Sequence, residues 1–205
     1  MFTNAGWTER DIPAQRGRVA IVTGGTAGLG RATALALAGA GAEVVIAGHD
    51  GTVALAEIGY IHPEATAIFE PLDLADLSSV RDFAARMADR YKAVDILVND
   101  AGVMALPRLR VTVDGFEMQF GVNHLGHFAL TARLLPLLLR GRSSRVVSVS
   151  SLAHRQGRID FDNLNAERDY SPWTAYAQSK LAVLMFALEL QRRSQAGARR
   201  RAPFR

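Results

Sequence analysis

"RVAIVTGGTAGLG", residues 18–30, is the stretch on which the reading of this chain turns. Its first part, "RVAIVTGG" (18–25), is a β-branched run closed by glycines, the pattern of a strand buried on both faces. Its end opens "LGRATALALAGAGA" (29–42), rich in alanine and leucine and stopped by glycine, which predicts a helix. A glycine-rich turn between a strand and a helix suits a phosphate. Gly24 permits the tight turn, Gly28 lets the backbone approach a pyrophosphate, and Gly30 lets helix and strand pack closely. The helix N-terminus then offers N–H groups and a positive dipole end.

Outward from that turn, strands and helices alternate. "EVVIAG" (43–48) reads as a second strand, and "ATAIFEPLDL" (65–74) holds a third. "LSSVRDFAARMADRYK" (77–92) has helical spacing, with Val80, Phe83, Ala84 and Met87 on one side. "VDILVNDAG" (94–102) is a strand ending in a turn, 115–139 a long helix with glycines and a late proline, "SRVVSVSS" (144–151) a fifth strand, and 173–193 the last helix. Apolar strands in βα alternation predict an α/β fold, a doubly wound, Rossmann-like parallel sheet. Ligands on such sheets bind at the carboxyl ends of the strands. "TGGTAGLG", "GHD", "DL", "NDAG" and "SVSS" each follow a strand, so the polar signals collect there.

Bulk composition excludes several classes. The 205 residues are 49% hydrophobic and 21% charged, as in a globular chain with a sizeable core. No cysteine is present, which removes disulfides and cysteine-based zinc sites, and no metal site is expected. The greasiest run, "HFALTARLLPLLL" (127–139), is too short to span a membrane and carries Arg133 and Pro136. The opening "MFTNAGWTERDIPAQRGR" is charged where a signal peptide is apolar, and a cytoplasmic location is expected. Net charge is +4, but residues 192–205 hold six arginines and no acid. Setting them aside leaves 18 basic against 20 acidic residues, which argues for a solvated basic tail and against a nucleic-acid partner. Residues 1–193 are expected to form one dinucleotide-binding and catalytic domain, with 194–205 as the tail.

"YAQSK" (176–180) sets Tyr176 and Lys180 one helical turn apart, on one face. Together with T-G-x-x-x-G-x-G at 23–30 and "NDAG" (99–102), this ordered set resembles the short-chain dehydrogenase/reductase family. "VNHLGHFALT" (122–131), "SVSSLAH" (148–154) and "FDNLN" (161–165) look like its retinol-dehydrogenase-like branch. The resemblance covers about residues 7 to 193.

It implies an oxidoreductase that moves a hydride between a nicotinamide cofactor and a small hydrophobic alcohol or carbonyl. Tyr176 would be the general acid/base, its phenolate stabilised by the Lys180 ammonium, and Lys180 would also bind the nicotinamide ribose. Ser151 would hydrogen-bond the substrate oxygen, with Ser148 and Ser150 as nearby rivals. Asn123 would anchor a water linking Lys180 to solvent; read without the family it is a solvated helical asparagine. Gly24, Thr26, Gly28, Leu29 and Gly30 would cradle the cofactor. Asp73 would receive the adenine amino group, with Leu74 beside the ring, although capping a helix would equally account for Asp73. Asn99, Ala101 and Gly102 would line the nicotinamide side.

NADP is expected over NAD. Gly48 stands where NAD-preferring relatives carry Asp, and His49 follows where NADP-preferring ones often carry Arg. Arg31 offers another cation, or is a solvated helix residue. Asp100 and Ala27 depart from the family's second Asn and its polar turn residue. The family's chains also run on past the Tyr–Lys helix, so the fold is expected to lack its last strands. The fifth strand would then be a sheet edge inviting association, and a homo-oligomer through helices 115–139 and 173–193 is expected to be possible. The same fold also admits a catalytically impaired nucleotide-binding remnant; a sugar-nucleotide epimerase would share Tyr–Lys, but its glycine spacing usually differs.

Overall fold

A computed structural model describes residues 6–201, with side chains through residue 196. The chain groups into two compact units. One comprises Met1–Leu72, Ala85–Ala101 and Leu134–Val146; the other comprises Asp73–Ala84, Gly102–Arg133 and Val147–Arg205.

The first unit is built on the sheet. The sheet's strands are β1 (Val19–Thr23), β2 (Glu43–Gly48), β3 (Ala67–Pro71), β4 (Ile96–Asn99) and β5 (Arg145–Ser148), in the order β3-β2-β1-β4-β5; all but the last two residues of β5 fall in the first unit. Pairing is parallel for β1 with β2, β1 with β4 and β2 with β3, as runs of Val, Ile and Ala buried on both faces require. The order reverses direction at β1, which makes the end of β1 the switch point of the sheet. Helix α1 (Gly28–Gly39) covers one face through Ala34 and Ala38, which pack with Val22, Val44, Ile46 and Val98 in a dry core. Helix α2 (Thr52–Ile61) adds Ala54 and Ile58 to the same core. Sequence reasoning assigned no element there. The helix is started by the Asp50 carboxylate, which accepts from the Thr52 backbone N–H at 2.9 Å and its hydroxyl at 2.7 Å.

Helix α3 (Leu77–Arg90) buries Val80, Phe83, Ala84 and Met87, the stripe expected from its spacing. β5 is the terminal strand of the sheet, half-exposed along its length, in keeping with the expected edge.

The helix expected over 115–139 is corrected in kind. It begins at α4 (Met118–Phe120), where the buried Glu117 carboxylate accepts from the Gln119 and Phe120 N–H groups at 3.0 and 2.7 Å. It widens into a π-helical turn over Gly121–Gly126 and resumes as α5 (His127–Leu138). The last helix, α6 (Pro172–Arg201), runs eight residues past the expected end at 193, so the basic tail is helical as far as Arg201. The rest of that tail, 202–205, lies outside the described residues.

Candidate active site

Sterics at the end of β1 leave room for glycine alone at two places. Gly24 has φ +67, and a Cβ there would lie 2.9 Å from the Ala101 Cα. A Cβ on Gly30 would lie 2.4 Å from the Gly24 carbonyl oxygen and 2.8 Å from an Asp100 carboxylate oxygen. The third glycine differs. Gly28 has φ +54, and its missing side chain points into open space. The N-cap of α1 is Ala27, which contributes no side-chain hydrogen bond to the first turn. A helix start with no side-chain cap and an open face at Gly28 fits a pyrophosphate, which is what sequence reasoning placed there.

Thr23, which sequence reasoning passed over, ties this turn to the next. Its hydroxyl accepts from the Asp100 and Ala101 N–H groups at 3.0 and 3.1 Å and donates to the Val98 carbonyl at 3.3 Å. A buried threonine closing a strand would have been the signal. Asn99 is buried beside it at the end of β4.

At the end of β2, Gly48 touches Thr26: a Cβ would lie 3.1 Å from the Thr26 methyl. His49 is exposed next to it. The neighbouring Asp50 is committed to capping α2, and hydrogen bonds from Thr52 hold its carboxyl below the usual range. Arg31 is paired with Glu57 at 3.3 Å rather than freely solvated, and Leu29 is exposed at the start of α1.

The second unit holds Asn123, Ser151, Tyr176 and Lys180, the four residues expected to be catalytic. Along α6, Tyr176 and Lys180 are both buried, and the Lys180 ammonium lies 5.9 Å from the centre of the Tyr176 ring. Lys180 donates to the Val149 carbonyl at 2.9 Å, so the strand-end backbone fixes its head. A Cβ on Gly102 would lie 3.0 Å from Asn123 Oδ1 and 3.6 Å from Lys180 Nζ, which puts three predicted residues together. Trp173 stands edge-on to Tyr176 at 6.0 Å. Among the described residues, no hydrogen bond engages the Tyr176 hydroxyl.

Ser150 donates its hydroxyl to the Lys180 carbonyl at 2.8 Å, a structural commitment. The Ser151 hydroxyl accepts from the Ala153 N–H at 3.2 Å and, among the described residues, donates to none, so its hydrogen can serve a ligand. Asn123 is fully buried, which removes the solvated reading. Both its amide hydrogens go to protein partners, Val103 O at 3.0 Å and Ser179 Oγ at 2.9 Å, while its Oδ1 accepts from the Val103 N–H at 2.8 Å. A water could be held only at its carbonyl oxygens. Asp73 does not cap α3: it accepts from the Ala75 N–H at 2.8 Å, and Asp76 caps that helix through Ser78 and Ser79. Leu74 is buried against Gly126, where a Cβ would clash with it. Among the described residues no helix is long and apolar enough to cross a membrane, and no three side chains are grouped to hold a metal.

His127 was also passed over. Its Nδ1–H donates to the Asn123 carbonyl at 2.9 Å, holding the π-helical turn, and that acceptor fixes the tautomer. Burial pushes its pKa down to about 4. The unfolded chain therefore takes up a proton below about pH 6.5 that the folded chain refuses, and stability falls on acidification until the folded group titrates near 4. Going from about pH 7 to 5, this one group should remove roughly 2 kcal/mol. His124, lowered by burial, acts in the same direction; Glu117, raised by burial, opposes it. Urea unfolding at both pH values should show the loss, and His127→Phe should flatten it; an unchanged slope in the variant would contradict the assignment.

Three comparisons with known proteins give matches over most of the chain. The family model of the short chain dehydrogenases matches residues 18–197. Polyprenol dehydrogenase of Mus musculus is 51% identical over 188 residues, 88% of this chain and 56% of its own length. Retinol dehydrogenase 13 of Homo sapiens is 48% identical over 183 residues, 87% of this chain and 55% of its own. The chain thus spans about half the length of these curated relatives. Among solved structures, an uncharacterised protein from Mycobacterium paratuberculosis superposes with a TM-score of 0.82 at 48% identity, covering 94% of this chain and 68% of that one. A short chain dehydrogenase from Escherichia coli CFT073 complexed with NADPH gives 0.72 at 27%, covering 89% and 74%.

Proposed function

Because this chain belongs to the short chain dehydrogenase family, we propose that it is an oxidoreductase acting between an alcohol and an aldehyde or ketone, with NADP(H) as its preferred cofactor. The cofactor, when bound, supplies or takes the hydride; the chain's own residues handle the proton and the positioning. Tyr176 delivers the proton to the carbonyl oxygen, or removes it from the alcohol in the reverse direction. Lys180 sets a fixed positive charge 5.9 Å from the centre of the Tyr176 ring. Ser151 donates to the substrate oxygen. Asn123 holds the loop at Val103 and the helix at Ser179, and so keeps Lys180 in place. Gly24, Thr26, Gly28, Leu29 and Gly30 take the pyrophosphate, with Asn99, Ala101 and Gly102 toward the nicotinamide and Asp73 and Leu74 toward the adenine.

The observation that carries this reading is the buried ammonium of Lys180 beside Tyr176, whose hydroxyl has no protein partner among the described residues. A substrate of the hydrophobic alcohol class is supported by the relatives named as retinol and polyprenol dehydrogenases. A second copy of the chain, packing through α5 and α6, is supported by the exposed Phe128, Met185 and Leu188. Thermal shifts with NADPH and NADH, paired with turnover of a long-chain aldehyde, test the reading; no shift with either nucleotide would count against it.

The cofactor preference rests on the end of β2, where Gly48 carries no side chain and the nearby Asp50 carboxylate accepts from Thr52. Gly48→Asp, made with Thr26→Ser to relieve the 3.1 Å contact, should introduce one. NADPH affinity should fall roughly tenfold through repulsion of the 2′-phosphate, while NADH affinity holds or rises. Equal loss of both nucleotides would show that the substitution merely damages the turn.

A further inference from the structure

Two amides, four residues apart, bridge the same pair of segments in the second unit. Asn123 joins the loop after β4, at Val103, to Ser179 on α6, and Ser179 in turn donates to the Tyr176 carbonyl at 2.8 Å. Gln119 makes the matching bridge one step earlier. Its Oε1 accepts from the Ala105 N–H at 2.7 Å, and its Nε2 donates to the Pro172 carbonyl, the first residue of α6, at 3.0 Å and to the Tyr170 hydroxyl at 3.3 Å. Tyr170 closes the circuit by donating to the Leu106 carbonyl at 2.6 Å.

Gln119 is fully buried, and every polar hydrogen of its amide has an acceptor. The arrangement fixes which end is oxygen, because one side faces an N–H and the other a carbonyl. It also meets a local need. Ala105 sits at φ +48, a left-handed conformation that L side chains avoid and that persists only when its surroundings hold it. The bond that holds it is the one from its own N–H to Gln119.

We infer that Gln119 is a positioning residue for Tyr176, acting through the start of α6 and the 103–106 loop as the partner of Asn123. This rests on the reading that Tyr176 transfers the proton. Gln119 touches neither phenol nor ammonium; it sets where the helix carrying both begins. A hydrogen-bonding amide is required, since a carboxylate would face the Pro172 carbonyl with no donor and an alkyl group would leave the Ala105 N–H without this acceptor and the Pro172 carbonyl without its side-chain donor.

The test compares wild type, Gln119→Leu, Gln119→Glu and Tyr170→Phe with a long-chain aldehyde under saturating NADPH, reading kcat, KM, the pH profile of kcat and the NADPH Kd. Displacing a catalytic group by a fraction of its reach costs roughly ten- to a hundredfold. Gln119→Leu and Gln119→Glu should therefore lose that much in kcat and shift the pH profile, with NADPH Kd within about twofold of wild type; Tyr170→Phe should show the same pattern at a few-fold. Wild-type kcat and pH profile in folded Gln119→Leu overturn the inference. Should that variant not fold, Tyr170→Phe decides in the same way. Wild-type turnover that survives Tyr176→Phe overturns the underlying reading, and this inference falls with it.

Discussion

Tyr176→Phe should lose roughly a hundred- to ten-thousand-fold in kcat while binding NADPH as wild type does. The substitution removes one oxygen and leaves the ring that packs at 6.0 Å against Trp173 and lies 5.9 Å from the Lys180 ammonium. The hydroxyl is engaged by no hydrogen bond among the described residues, so folding should be nearly untouched. Chemistry, by contrast, loses its proton donor at a site where the neighbouring cation can only stabilise charge. Thermal unfolding and an NADPH titration, run beside the turnover assay, separate the two. A folded, nucleotide-binding Tyr176→Phe with wild-type kcat would assign the proton to another group.

The second large effect is expected at the glycine turn. Gly30→Val must displace either the Gly24 carbonyl, 2.4 Å from the first added carbon, or the start of α1. The partner is backbone rather than a flexible side-chain tip, so the turn itself has to move. Overpacking of this kind costs about 1–3 kcal/mol. If the N–H groups at the start of α1 hold the pyrophosphate as proposed, they lose their aim as well, and NADPH affinity should fall by about a hundredfold or more. Gly28→Ala is the informative control. Its Cβ meets nothing in the protein, so its penalty comes from φ +54 and from whatever ligand occupies the open side. Isothermal titration on both variants, with unfolding measured alongside, reads the two contributions separately.

Much of this was written locally in the chain, and that part was legible. The strands announce themselves by continuous Val, Ile and Ala, and the turn at 23–30 shows its glycines at strand-to-helix spacing, although part of the reason for them, the contacts with Asp100 and Ala101, lies 70 or more positions away. Tyr176 and Lys180 are one turn apart, so helical geometry alone pairs them. What sequence could not give was partnership across long separations. Asn123 looked solvated until Val103 and Ser179, 20 and 56 positions away, used up its amide hydrogens. Thr23 meets Asp100 across 77 positions, and Gln119 meets Pro172 across 53. Helix α2 escaped notice because its start depends on a side chain outside it, Asp50, while its two core contacts, Ala54 and Ile58, make a thin stripe. The π-helical turn escaped for a related reason: His127 stabilises it by a bond to the Asn123 carbonyl, which periodicity does not register.

The most direct measurement follows the hydride itself. NADPH carrying deuterium at the transferred position is supplied to the chain with a long-chain aldehyde, and the alcohol formed is analysed by mass spectrometry. Wild type should form alcohol with one deuterium on the former carbonyl carbon, and Tyr176→Phe should form very little alcohol, that little labelled in the same way. Alcohol free of deuterium, or no alcohol from a chain that binds NADPH, would contradict it.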